Sequence, residues 1–205
     1  MPPTWLDWAQ RLQAIAQSGI TYSTNQYDLE RYEALREIAA EIMAAGSDAA
    51  IDPIRDLFAA QTGYATPKVD MRAAVFRDGR ILLVEERADG TWSLPGGWAD
   101  INESPADAIV REVREESGYE TRAAKLLAVY DRNRHGHPPF PFHAYKLFFQ
   151  CVLLGGEPSL SYEVSAVDWF AEDRLPTLST IRVTAGQVHR CFAHYRNPGW
   201  PTDFD

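Results

Sequence analysis

The sequence is poor in the features that would place a protein outside a reducing compartment. Only two of its 205 residues are cysteine, Cys151 and Cys191, too few for the disulfide framework of a small secreted domain. No apolar run approaches the ~20 residues needed to cross a bilayer. The start, Met1-Pro2-Pro3-Thr4-Trp5-Leu6-Asp7, has neither the basic stretch nor the apolar core of a secretory signal. A cytoplasmic protein with no membrane partner is expected. Positive charge is also scarce, with 20 Lys+Arg against 29 Asp+Glu and a formal net charge of −9. Binding to a long nucleic acid needs a cationic track, so that partner is disfavoured. Internal repeats and low-complexity tracts are absent. A 45% hydrophobic, 24% charged composition is that of a globular protein and excludes wholesale disorder.

The charge that is present is unevenly placed. Residues 1–66 hold nine acids and four bases, whereas residues 100–120 hold seven acids and two bases. One short segment therefore carries more than half of the net charge.

The first third reads as helices. Trp5, Trp8, Leu12 and Ile15 recur at helical spacing and predict one buried face, with Ser18-Gly19 as a stop. Asp28 is a candidate cap for a second helix with Tyr32, Leu35, Ile38 and Ile42 on one face, ending at Gly46. A third helix is expected over 48–61, with Pro53 in its first turn. These helices bury little alone, so they are expected to pack on the rest of the chain or on a second copy. The helical part is expected to end near Gly63–Pro67.

From Val69 the pattern changes. Strands are expected over Val69–Phe76 and Ile81–Val84, joined by a turn with the Asp-Gly hairpin signal at Asp78-Gly79. A loop at Ser93–Gly97 precedes a helix near Pro105–Ser117. Further strands are expected at Leu126–Tyr130, Ala144–Leu154 and Val164–Phe170, and a last helix at Val183–His194. Strands and helices intermix without a βαβ repeat, which favours an α+β class.

The acidic segment coincides with the middle helix. Ser104 fits its N-cap, Pro105 its first position, Asp107 a capping box and Gly118 its C-terminal stop. Ala106, Ile109, Val110 and Val113 make an apolar stripe, and Glu112, Glu115 and Glu116 gather on a neighbouring face. Three carboxylates so close repel by roughly 0.2–0.5 kcal/mol per pair. A hard divalent cation, which takes oxygen ligands and pairs with phosphates, would turn that repulsion into binding. A solvated acidic face is the alternative reading of these glutamates taken alone.

The wider spacing favours the metal. From Gly97, five residues lead to Glu103, and seven more lead to Arg111-Glu112-Val113-Arg114-Glu115-Glu116-Ser117-Gly118-Tyr119. This run resembles the Nudix box, Gly-x5-Glu-x7-Arg-Glu-U-x-Glu-Glu-x-Gly-U, in which U is bulky and apolar. Every fixed position matches, with Tyr119 at the last U. The resemblance implies a Nudix fold, a mixed β-sheet between helices in an α/β/α sandwich, over residues 67–205. Residues 1–66 resemble the small all-helical extension of Nudix enzymes that hydrolyse nucleoside diphosphates linked to another moiety, of the CDP-choline and ADP-ribose types. The motifs Trp5-Leu6-Asp7-Trp8 and Tyr27-Asp28-x-x-Arg31-Tyr32 carry that second resemblance. It implies a dimerisation element and a homodimer.

Carried onto this sequence, the resemblance implies hydrolysis assisted by Mg²⁺ or Mn²⁺. The metal ligands would be Glu112, Glu115, Glu116 and the carbonyl of Gly97. Arg111 would orient a box carboxylate, Glu103 or Glu115. A general base is expected among Glu163, Asp168 and Glu115, with Glu163 before the Val164–Phe170 strand preferred. Outside the box, Arg72 and Arg87 are candidates to reach phosphate. Trp92 and Tyr130 are candidates to stack on a base, although core roles suit both. Arg132, Arg134, His135 and His137 lie in a polar loop and are candidates for substrate contact; simple solvation of that loop is the alternative. His135 and His137 lack the further ligands a zinc site requires.

The favoured reading is a divalent-metal-dependent pyrophosphohydrolase that splits a small nucleoside diphosphate-X into a nucleoside monophosphate and phosphoryl-X. Two alternatives are an RNA-processing Nudix hydrolase and a non-catalytic sensor of an ADP-ribose-type ligand. The intact box glutamates disfavour the sensor, and the missing cationic track disfavours RNA.

Overall fold

The helices at the start of the chain outrun their apparent punctuation. In the computed structural model, which describes residues 3–205, α1 spans Thr4–Tyr22, α2 Gln26–Ser47 and α3 Ile51–Ala59. Asn25, rather than Asp28, caps α2 by accepting from the Tyr27 N–H at 2.9 Å. Neither Gly19 nor Gly46 is a stop. A Cβ on Gly19 would lie 2.4 Å from the Tyr32 ring, and one on Gly46 would lie 2.2 Å from the Trp5 ring. Both glycines make room for an aromatic ring from the neighbouring helix. The stop of α2 is instead Asp48, in the left-handed region at φ 54°.

The buried faces differ from the expected ones for the same reason. Leu6, Ala9, Ala39, Ala40, Met43, Ile54 and Phe58 form the core of this unit. Trp8 and Ile15 are 54% and 53% exposed, and Ile38 is exposed as well. Alanines at the crossing let the helix backbones approach closely, which leaves the larger side chains at the flanks. Pro53 sits in the first turn of α3, as expected. The described residues up to Pro67 form one compact unit together with Pro139–His143. Within it, Gln10 Nε2 donates to the Phe140 carbonyl at 3.0 Å.

The second unit comprises Lys68–Pro138 and Ala144–Asp205. Its elements are β1 (Lys68–Arg77), β2 (Arg80–Glu86), β3 (Trp92–Ser93), α4 (Pro105–Ser117), β4 (Tyr119–Asp131), β5 (Ala144–Gly156), β6 (Val164–Phe170), α5 (Ala185–Arg196) and β7 (Asp203–Phe204). Asp78 and Gly79, at φ 51° and 72°, form the left-handed pair of the expected hairpin. The sheet order is β3-β2-β1-β5-β4-β7, with β6 along β2. β1 and β5 run parallel and bring Asp70 opposite Lys146 and Val75 opposite Cys151.

Strand alternation divides β1 between two cores. Met71, Ala73 and Val75 pack with Ile109 and Val113 of α4. Ala74 faces the other way, with Val188, Cys191 and Phe192 of α5. The sheet thus lies between helices, as the Nudix resemblance implies. Burial pushes both Cys151 and Cys191 up to about 12, so both are inert core thiols. No helix among the described residues is long and apolar enough to cross a membrane.

Beyond the two-residue β3, which takes Ser93 from the expected loop, two elements differ from the sequence reading. β4 starts at Tyr119, not Leu126, because register shifts at Glu120/Thr121 and Ala123/Lys125 break its alternation. The second element, β7, has no sign in the sequence pattern. It pairs parallel to β4, with Asp203 opposite Ala128. Its Asp203 accepts from Tyr130 Oη at 3.0 Å and pairs with Arg190 and with His194. These partners, Arg190 first, hold the Asp203 carboxyl well below its ordinary value of 3.8. A depressed carboxylate adds stability above its unfolded value and loses it as pH falls through its folded value. Urea midpoints are therefore expected to fall more steeply below about pH 4 in the wild type than in Asp203→Asn. Parallel slopes would show that the Asp203 contacts do not stabilise the fold.

Candidate active site

The glycine loop is fixed by backbone bonds to β1. Ala73 N–H donates to Pro95 O at 2.8 Å, Met71 N–H to Gly97 O at 2.8 Å, and Ala99 N–H to Val69 O at 2.9 Å. Gly96 lies between two of these bonds at φ 137°, where a Cβ would stand 2.1 Å from the Met71 carbonyl oxygen. Its N–H points away from β1 and donates to Glu116 Oε2 at 2.8 Å.

Glu116 reaches that position because α4 forms as its caps dictate. Ser104 accepts from the Asp107 N–H, Pro105 opens the helix, and Gly118 closes it at φ 77°. The stripe is shifted from expectation. Ala108, Ile109, Val113, Glu116 and Ser117 are buried, while Ala106 is exposed and Val110 half-buried. Spacings of four and three carry the apolar stripe from Ile109 and Val113 straight to Glu116, so a carboxylate occupies a core position. Burial pushes Glu116 up to about 8, against the opposing pull of Arg72 and the Gly96 N–H. Burial also raises Glu112, with Arg111 opposing.

Arg111 gathers the outer carboxylates. Its guanidinium lies 2.9 Å from Glu103, 3.0 Å from Glu112, 2.8 Å from Glu115 and 3.2 Å from Asp100. Among the described residues no three ligating side chains already form a metal cage, because Arg111 draws Glu112 and Glu115 to itself. The donor set nonetheless suits a hard divalent cation. Glu116 has a second oxygen, Oε1, with no hydrogen bond among the described residues. A Cβ on residue 97 would fill the space 3.4–3.5 Å from the Glu112 carboxylate. The Gly97 carbonyl, held by the Met71 N–H, retains a second lone pair.

The remaining candidates scatter. Arg72 is buried. It donates to Asp70 Oδ1 at 2.8 and 3.1 Å, to Leu94 O at 3.2 Å and to Ser93 Oγ at 3.4 Å. Arg87 binds the carbonyls of Tyr162 and Val164, and its N–H donates to the Glu163 carbonyl. Glu163 is exposed, and the Glu163 carboxylate has no hydrogen bond among the described residues. Asp168 is exposed and accepts from the Trp169 N–H at 2.7 Å. Trp92 packs edge-on against Phe170.

The polar loop is tied down by later parts of the chain. Tyr130 stacks on His135 with ring centroids 3.9 Å apart. His135 Nε2 lies 3.0 Å from Asp205. Arg132 donates to Pro138 O and Ile181 O, and His137 Nδ1 lies 2.7 Å from Thr180 O. Burial lowers Arg132 to about 10 and His137 to about 4. Arg134 lies 3.8 Å from Asp131.

Three further residues at the site escape a reading of the sequence. Glu86, buried and 2.9 Å from Arg182, is in phase with the buried Leu82 and Val84, which is a readable sign. Asp70 and Lys146 form a buried ion pair. An acid two residues before Arg72 hints at the first, but nothing local marks the second, whose partner lies 76 positions away.

Two family models match the chain, one in each part. The family described as a UDP-X-like, N-terminal oligomerisation domain matches residues 3–58, and the NUDIX domain family matches residues 66–190. A Bacillus subtilis (strain 168) protein named "Putative ADP-ribose pyrophosphatase YjhB" is 48% identical over 201 residues, covering 98% of this chain and 97% of its own. The crystal structure of an ADP-ribose pyrophosphatase from Streptococcus suis 89-1591 superposes with a TM-score of 0.64 at 42% identity, over 68% of this chain and all of that one. That of a UDP-X diphosphatase superposes with a TM-score of 0.65 at 32% identity, over 98% of both chains. With the glycine loop and the capped glutamate helix both inside the stretch that the NUDIX domain family matches, the chain belongs to the Nudix hydrolase family, enzymes of phosphoanhydride cleavage.

Proposed function

We propose that this protein is a Mg²⁺- or Mn²⁺-dependent pyrophosphohydrolase of nucleoside diphosphates linked to X. ADP-ribose and UDP-linked compounds would be its leading substrates. The observation that carries the reading is the buried Glu116, pinned by the Gly96 N–H and flanked by Glu112. Glu116, Glu112, Glu115 and the Gly97 carbonyl would hold the metal. When bound, the ion supplies positive charge for the diphosphate oxygens and makes water a stronger nucleophile. Arg111 keeps Glu103, Glu112 and Glu115 within one network, and Glu163, whose carboxylate has no hydrogen bond among the described residues, would accept a proton. Asp168 has an oxygen engaged by the Trp169 N–H, and Glu115 is held by Arg111. Two unpaired, buried thiols suit a cytoplasmic setting.

The test is a substrate panel of ADP-ribose, a UDP-sugar, CDP-choline and 5′-triphosphorylated RNA with either metal, and products identified by chromatography. A nucleoside monophosphate plus phosphoryl-X from at least one diphosphate is expected. Turnover of RNA alone, or ADP-ribose binding without turnover, would overturn the reading.

We also propose that residues 1–66 are the dimerisation element and residues 67–205 the catalytic domain, with a homodimer as the working form. The match to an oligomerisation family supports this, as does an apolar stripe that the helical core leaves uncovered. Trp8, Ile15 and Tyr22, seven residues apart on α1, are 54%, 53% and 68% exposed, the spacing of a helix–helix seam. Ile15→Glu leaves that core untouched and is expected to convert the dimer to monomer in light scattering. An unchanged mass would place the interface elsewhere.

A further inference from the structure

We propose that Lys146 and Asp70 are positioning residues that set Glu116 for divalent-cation binding, acting through Arg72 and the glycine loop. This rests on the proposed role of Glu116 as a metal ligand. Asp70 on β1 and Lys146 on β5 are registered partners in the parallel ladder, so their side chains leave the sheet on the same face. Lys146 Nζ pairs with Asp70 Oδ2. Asp70 Oδ1 accepts from Arg72 Nη2 at 2.8 Å and Nε at 3.1 Å. The remaining arm of Arg72, Nη1, donates to the Leu94 carbonyl at 3.2 Å. Two residues farther along the loop, the Gly96 N–H holds Glu116 Oε2 at 2.8 Å. The chain of contacts thus runs from β5 through β1 to the loop, and from the loop to α4.

Lys146, Asp70, Arg72 and Glu116 are all buried. Burying two cations with the carboxylates of Asp70 and Glu116 is a poor way to stabilise a core, since apolar side chains of similar volume do as well or better. Stability alone therefore does not account for the cluster. Its geometry does something a greasy contact cannot. The Asp70 carboxylate is fixed on one oxygen by Lys146, so the other oxygen orients the planar Arg72 fork. With its fork fixed, Arg72 has a single direction in which to bind Leu94, which sets the height of the loop over α4. Without Lys146, Asp70 is free to turn both oxygens to Arg72, and the Leu94 contact loosens. Outer partners of metal ligands commonly contribute 10–100-fold to metal affinity.

The experiment is direct Mn²⁺ binding by the full-length protein, read from the free-ion signal in electron paramagnetic resonance, with thermal melts of each variant. Lys146→Met and the Asp70→Asn/Lys146→Met double variant are expected to weaken Mn²⁺ binding by about 10–100-fold. Turnover at saturating Mn²⁺ should fall much less, whereas Lys146→Arg should restore part of the affinity. If Lys146→Met fails to fold, the double variant still decides: it removes both members of the Asp70–Lys146 pair, and the amide oxygen introduced by Asp70→Asn can accept from Arg72. Mn²⁺ binding by the double variant within twofold of wild type would overturn the relay. So would an equal weakening in Asp203→Asn, which loosens the fold away from the site. Glu116→Gln separates the two levels. Wild-type Mn²⁺ binding in that variant would defeat the site reading itself, whereas lost binding there with intact binding in the double variant would defeat only the relay.

Discussion

Glu116→Gln is expected to lose about a thousandfold in turnover, ~4 kcal/mol of barrier, while its melting curve stays where the wild type's is. The two halves of this expectation come from the same contact. A glutamine amide oxygen can accept from the Gly96 N–H as the carboxylate oxygen does at 2.8 Å, so the loop keeps its attachment to α4. What disappears is a negative charge that burial opposes, and removing it does not destabilise the fold. Cation binding, by contrast, depends on that charge. A neutral amide is a poor ligand for a hard divalent ion, and the diphosphate then meets Glu112 and Glu115 without compensation. Chelation with EDTA should reproduce the loss in the wild type and be reversed by added Mg²⁺ or Mn²⁺. Steady-state rates and circular-dichroism melts of the two proteins check both halves. Wild-type turnover in the variant would remove Glu116 from the metal site.

Gly96→Ala is expected to lower kcat/KM by at least about a hundredfold and to reduce the melting temperature as well. The added methyl would sit 2.1 Å from the Met71 carbonyl. That oxygen is part of a strand held on both sides and has no cheap way to yield. The backbone at φ 137° also resists any side chain, at a cost of about 1–3 kcal/mol. The loop must therefore lift from β1, taking with it the N–H that holds Glu116. Gly79→Ala supplies the contrast. It has a positive φ of 72° but nothing within 4 Å of the added methyl. It should cost about 1–2 kcal/mol of stability with catalysis intact. Equal catalytic losses in the two variants would mean that loop position does not matter to the reaction.

The parts of the structure legible in the sequence are those governed by local chemistry. Ser104, Pro105 and Gly118 bound α4 as their capping roles require, Asp78-Gly79 makes the hairpin, and β6 covers Val164–Phe170. The N-terminal helices are less legible because the large apolar residues dominate the periodic signal, whereas alanines make the crossing. Gly46 has the position of a stop in the sequence, but in the fold it is a seat for the Trp5 ring. Local sequence does not distinguish these cases, since the ring arrives from another helix.

The candidate site divides along the same line. The box residues lie within 23 positions, and one loop and one helix bring them together. Arg72 shows the limit. An arginine near the expected site end of a strand reads as a phosphate ligand, but the donors of Arg72 are taken by Asp70, Ser93 and Leu94. The polar loop at 132–137 is similar. His135 meets Asp205, and Arg132 meets Ile181. Asp205 is brought in by β7, a two-residue strand too short to leave a pattern.

The composition of the helical unit also has a consequence for biogenesis. Its three helices are complete by Ala59, yet Pro139–His143 belongs to the same unit. At about 5–20 residues per second, a ribosome needs roughly 4–14 s to travel from residue 67 to residue 139. During that interval the Phe140 carbonyl that will accept from the Gln10 amide has not yet been made. The helical unit, although first to emerge, is thus finished only when the strands between its two pieces have been synthesised, and its completion is timed by the synthesis of the second unit.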